Sequence, residues 1–250
     1  MNPARERITD EPGPRRRIWE IDFLRGLSII LMVFYHLGYD LAEFCGIHRI
    51  LGVEVNISGP ILTVAQYFFA GVFIVLCGTS STLSRRNIRR ALKILGVAVV
   101  ISVVTYVYSP SEAIYFGILH CLGVCILIYG LTLQKAGALI CAAVGMAILG
   151  VSAALAVAMR NAAVPFNWLL PLGIHRVPYA ALDYFPLLPW AGVYMAGVVL
   201  GKTVYAAKRS LIPGRWPETF INVAGRHALL IYVIHQPLLL AALYLLGLMR

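Results

Sequence analysis

AGALICAAVGMAILGVSAALAVA, residues 136–158, holds no charged side chain from end to end. At about 1.5 Å per residue, roughly 20 helical residues cross the ~30 Å hydrocarbon core of a bilayer. Inside that core only a helix or a closed barrel satisfies every backbone N–H and C=O. The stretch therefore predicts a membrane-crossing helix. Working outward, runs of the same kind lie at about 22–44, 61–83, 91–108, 114–132, 184–205 and 226–248. The expected fold is all-α, a polytopic membrane bundle of about seven transmembrane helices. It occupies residues 18–250, after a polar, Pro- and Gly-bearing tail over 1–17 that is expected to be mobile.

Composition agrees. The chain is 60% hydrophobic and 13% charged, with a mean hydropathy of +0.81, whereas a soluble domain carries about 25% charged residues. The net charge of +10 sits between the apolar runs and not along one face, a pattern of membrane topology that excludes nucleic acid as a partner. Cys45, Cys77, Cys121, Cys125 and Cys141 are scattered and odd in number, so they imply small core residues and no disulfide framework. Asp22 and Arg25 interrupt the region after the basic start, so no cleavable signal peptide is expected.

Counting Lys and Arg gives the orientation. With the N-terminus in the cytoplasm, 17 of the 21 fall inside, and Arg49, Arg160, Arg176 and Arg250 remain outside. An odd number of spans then puts the C-terminus outside, together with the two longer connections, 45–60 and 159–183. The expected location is the cytoplasmic (inner) membrane of the cell, multi-pass. Gly197-x-x-x-Gly201 permits close packing of the sixth span.

Ionisable groups inside a membrane cost several kcal/mol unless paired, so each is a functional candidate. Asp22 and Arg25, three apart, share a helix face near the cytoplasmic end; the alternatives are an interfacial ion pair or part of a site. His36 and Asp40, four apart, also share a face. His36 lies roughly 21 Å along the helix from Asp22, in the outer half. A carboxylate bonded to an imidazole would make its other nitrogen a better base; the alternative is a buried histidine satisfied for structural reasons. His120 lies at a depth where it could meet His36. His235-Gln236-Pro237 is expected to kink the last span, because Pro237 cannot donate to the carbonyl of Val233; packing and chemistry both remain open there. Asp183, at the start of the sixth span, is expected to cap that helix. Arg85, Arg86, Arg89 and Arg90, with Lys93, serve either topology and anionic lipid or the phosphates of a nucleotide-bearing donor. No GxGxxG, Walker loop, CxxC pair or HExxH is present, so no metal and no tightly bound cofactor is expected.

The stretch from Glu20 to His36, EIDFLRGLSIILMVFYH, resembles the opening helix of the heparan-α-glucosaminide N-acetyltransferase catalytic-domain family. Similar matches are ALKILG at 91–96, IYFGILHCLG at 114–123, DYFPLLPW at 183–190 and GRHALLIYVIHQP at 225–237. Each is weak alone, but the five stand in the right order and cover nearly all of the chain from residue 18. The first helix also resembles the wider group of membrane acyltransferases that O-acylate surface polysaccharides.

That resemblance implies a transmembrane acyltransferase domain over 18–250. It would move an acetyl group from cytoplasmic acetyl-CoA to an amine or hydroxyl of a sugar or glycan outside. Asp22, Arg25, Arg85, Arg86, Arg89 and Arg90 would then hold the acyl-CoA, and His36 or His48, with Asp40, would be catalytic. His120, Asp183, His235 and Gln236 would form the polar core around the acceptor. In lysosomal members the position of His36 is an asparagine and the catalytic histidine comes about a dozen residues later, which here reaches His48. His36 is preferred because Asp40 stands beside it. The chain is shorter than the lysosomal enzymes, so heparan itself is a poor expectation for the acceptor. An acetyl-enzyme intermediate, a homodimer and the choice between amide and ester product stay open. The competing readings are a small-solute transporter that uses His235 and the Pro237 kink, and a b-type cytochrome with His36 and His120 as haem ligands.

Overall fold

A computed structural model describes residues 18–50, 53–54, 59–160, 164–176, 178–212 and 218–249. The tail expected to be mobile, 1–17, lies outside the described residues. The apolar runs become α1 (Trp19–Glu43), α2 (Pro60–Leu83), α3 (Asn87–Tyr108), α4 (Ile118–Ile128), α5 (Ala138–Ala158), α6 (Leu187–Thr203) and α8 (Ala228–Leu245). α4 runs on through a π-helical turn, Tyr129–Leu133. One further helix, α7 (Phe220–Arg226), precedes α8. A hairpin of two-residue strands, β1 (Arg49–Ile50) and β2 (Val53–Glu54), pairs antiparallel after α1.

Five of these helices, α1, α2, α3, α5 and α8, are long and apolar enough to cross a membrane, and Ile118–Leu133 is a shorter apolar helix. Their outward surfaces are apolar: Val99, Val100, Val103, Val104 and Val107 of α3 and Leu139, Met146, Val151 and Val157 of α5 are exposed. In water such faces would be patches for association; in hydrocarbon they need no cover.

With no hydrophobic drive between helices in lipid, small residues set how closely backbones approach. α6 lies between α2 and α5. A Cβ on Gly197 would strike the carbonyl of Val75, and one on Gly201 the side chain of Thr82, so the Gly197-x-x-x-Gly201 pair is the α2–α6 contact. Thr79 Oγ1 also donates to the Gly197 carbonyl at 3.0 Å. The largest buried cluster joins Ile74, Ile94, Leu122, Ile126, Tyr194 and Val198 of α2, α3, α4 and α6.

α1 stands to one side of this core, against α2, α7 and α8. Its crossing with α7 is the tightest in the molecule among the described residues: a Cβ on Gly26 would collide with the Ile221 carbonyl, and one on Gly225 with the Asp22 carbonyl. Three polar ties hold the same corner. Asn222 donates to the Trp19 carbonyl at 2.9 Å, while the buried Glu20 carboxylate accepts from Ser210 Oγ and Leu211 N–H, each at 2.6 Å. The seventh span, expected at 226–248, is thus a helix beginning at Ala228 with a separate docking helix ahead of it. His227 divides the two at φ −103°, ψ 17°.

Candidate active site

Because α1 packs on α8 and not on α4, His36 meets His235 instead of His120. The His36 and His235 rings lie 5.0 Å apart, centroid to centroid, inclined at 54°. One turn further along α1, Asp40 is fully buried, and both its carboxylate oxygens accept from Gln236 Nε2, at 2.8 and 3.1 Å. Two rungs therefore connect the helices: imidazole against imidazole, and carboxylate against carboxamide. The pairing of His36 with Asp40 expected from spacing is absent; among the described residues no hydrogen bond joins them. Neighbours four apart on one helix share a face, but the Asp40 carboxylate is taken up across the interface by the Gln236 carboxamide.

His235 is 8% exposed. Its Nδ1 lies 2.7 Å from the carbonyl of Tyr232 on the same helix, and a carbonyl only accepts, so Nδ1 carries the proton. Nε2 is then an unprotonated acceptor in the neutral ring, and it is buried with no partner. Tyr232 is positioned in turn, its hydroxyl donating to Asp183 Oδ2 at 2.9 Å.

Asp183 does not cap its own helix. Oδ2 accepts from the backbone N–H of Ile118 at 2.9 Å, which caps α4, and a Cβ on Gly117 would strike that same oxygen. His120, in the first turn of α4, is fully satisfied. Nδ1 accepts from Gly117 N–H at 3.2 Å, so Nε2 is the protonated nitrogen facing Ser102 Oγ at 3.2 Å, and Ser102 donates to the Ile114 carbonyl at 2.5 Å. Both ring nitrogens of His120 are thus engaged within the protein.

At the opposite end of α1, Arg25 pairs with Asp22 at 3.0 Å and donates to Ser80 Oγ of α2 at 2.6 Å. Ser80 spends its own proton on the Leu76 carbonyl and is free to accept. Arg90 of α3 reaches the same region and donates to Cys77 Sγ at 3.2 Å. Asp22, Arg25 and Arg90 thus gather where α1, α2 and α3 meet. Arg85, Arg86 and Arg89 line an open cavity of ≈ 240 Å³, together with Asn87, Ile88 and Gln134. His48 lies apart, exposed in the connection after α1.

Sequence reasoning missed Tyr232 and Ser80. Tyr232 sits three residues before His235, a spacing that already placed them on one face; nothing local marks Ser80, whose partner is 55 residues away. Among the described residues no group of three or more His, Cys, Asp or Glu side chains is arranged to hold a metal ion.

No curated protein and no solved structure matches the chain significantly. The family model described as heparan-alpha-glucosaminide N-acetyltransferase, catalytic, matches residues 17–237. That match takes in both ends of α1, the arginines of the α2–α3 turn and the His235-Gln236-Pro237 stretch, and by it the chain belongs to the heparan-α-glucosaminide N-acetyltransferase catalytic-domain family.

Proposed function

We propose that this membrane protein is an acetyltransferase that takes its acetyl group from acetyl-CoA on the cytoplasmic side of the cell's inner membrane and passes it to an amine or hydroxyl of a sugar outside. The observation that carries the reading is the division of α1. A cationic cluster built on Asp22, Arg25 and Arg90 lies at one end, and the His36–His235 pair lies eleven residues beyond Arg25, about 16 Å along the helix. A phosphate-bearing head held among the arginines leaves a long, narrow thioester arm to run up the bundle towards the histidines. Guanidinium groups suit phosphate oxygens because they donate in a fixed fork, and Arg85, Arg86 and Arg89 extend that surface. The histidine pair manages the proton released when the acceptor attacks the thioester carbonyl.

The test is CoA release from acetyl-CoA by detergent-purified protein with glucosamine as acceptor, beside a His36→Ala variant. Release by the wild type supports the reaction. A fall of at least about a hundredfold in the variant gives the proton to His36, and release that survives in His36→Ala keeps the reaction and leaves the proton to His235 or His48. If neither amine nor hydroxyl sugars give release, and acetyl-CoA does not bind, the transporter reading replaces this one.

A further inference from the structure

We infer that His235, through Nε2, is the general base of the reaction, and that Tyr232 and Asp183 are the residues that position it. This rests on the acetyltransferase reading above and assigns a role within it. Three observations converge. The Tyr232 carbonyl at 2.7 Å holds the ring proton on Nδ1, which leaves the Nε2 lone pair available. That nitrogen is buried and unpartnered, and an unsatisfied buried acceptor costs about 1–3 kcal/mol, so a structural histidine gains nothing from the arrangement. His120 is the contrast within the same molecule, with both nitrogens bonded to protein. The third observation is position: the His235 ring lies against His36, the residue of α1 that faces it. His36 has no such bond among the described residues to fix its proton, and Asp40, which the spacing suggested would do so, is engaged by Gln236.

The step balances as follows. The acceptor's N–H or O–H gives its proton to His235 Nε2 as its nitrogen or oxygen forms a bond to the acetyl carbonyl carbon. The tetrahedral intermediate collapses, breaking the C–S bond and expelling the CoA thiolate. His235, protonated on both nitrogens, returns the Nε2 proton to that thiolate, so the products are the acetylated sugar and free CoA thiol. Throughout, the Tyr232 carbonyl keeps the Nδ1 proton and stabilises the doubly protonated ring. The Asp183 carboxyl, bonded to the Tyr232 hydroxyl and to the first turn of α4, fixes the turn of α8 that carries the base.

The experiment compares wild type with His235→Gln, reading kcat and KM for acetyl-CoA in reconstituted protein, and adds nitrogen NMR of the wild type labelled at its histidine rings. The expected result is a kcat at least about a hundredfold lower with the KM for acetyl-CoA unchanged, and a wild-type spectrum, assigned by its loss in the variant, with the His235 proton on Nδ1 and a bare Nε2. A variant that keeps kcat within about tenfold overturns the base and leaves the acetyltransferase reading standing. A wild type that releases no CoA with any acceptor overturns that reading, and the base with it. Should His235→Gln fail to fold, the same spectrum, assigned with His235→Asn, decides: a proton resting on Nε2 overturns the proposal.

Discussion

Asp40 shows how a residue's neighbours on its own helix mislead when a partner helix offers more. Its carboxylate is fully buried and bonded twice by one Gln236 nitrogen, so its first task is to tie α1 to α8. Gln236→Ala would leave that carboxylate without a donor and should cost about 1–3 kcal/mol, seen as a lower thermal midpoint in detergent. An unchanged midpoint would mean that the α1–α8 contact does not depend on this rung. The residue-level chemistry was only partly legible beforehand. His36, Asp40, His235 and Gln236 were recognisable as expensive polar groups in apolar runs, but which of them touch depends on the rotation of each helix about its axis. That rotation is set by packing, here by Gly26 and Gly225, and no periodicity within one run encodes it.

Among the elements, the apolar runs were legible because a bilayer imposes one length and forbids charge; the seven runs became α1 to α6 and α8 with their ends shifted by a few residues. α7 was not legible: seven residues are too few for a periodicity, and its signal was a pair of glycines 199 positions apart along the chain, Gly26 and Gly225. Because each glycine faces the other helix's backbone directly, Gly26→Ala should push α1 from α7 and destabilise the protein by about 1–3 kcal/mol. Gly38→Ala on the same helix meets open space and should be neutral or slightly stabilising. Equal thermal midpoints for the two variants would sink the claim that this crossing governs the docking of the last helices. The Asp183 cap was misassigned for a related reason: the sequence places it before α6, while the fold turns it onto the start of α4.

For the molecule as a whole, the charge count gives an orientation that follows from the positions of Lys and Arg alone. It can be checked directly, because Cys45, Cys77, Cys121, Cys125 and Cys141 are all buried and free and so provide a quiet background for thiol labelling. With an impermeant reagent added outside intact cells, His48→Cys should label at once and Arg86→Cys only after the membrane is opened. The reverse pattern would invert the protein and put the arginine cluster on the wrong side for a cytoplasmic donor.

The rung between Asp40 and Gln236 joins positions 196 residues apart, and the two histidine rings beside it are drawn from the same first and last long helices. During synthesis the ribosome delivers α1 early and α8 near the end. On the proposed reading the histidine pair has no partial form: a chain arrested after six helices would carry the arginines but not His235, and would hold a donor without turning it over.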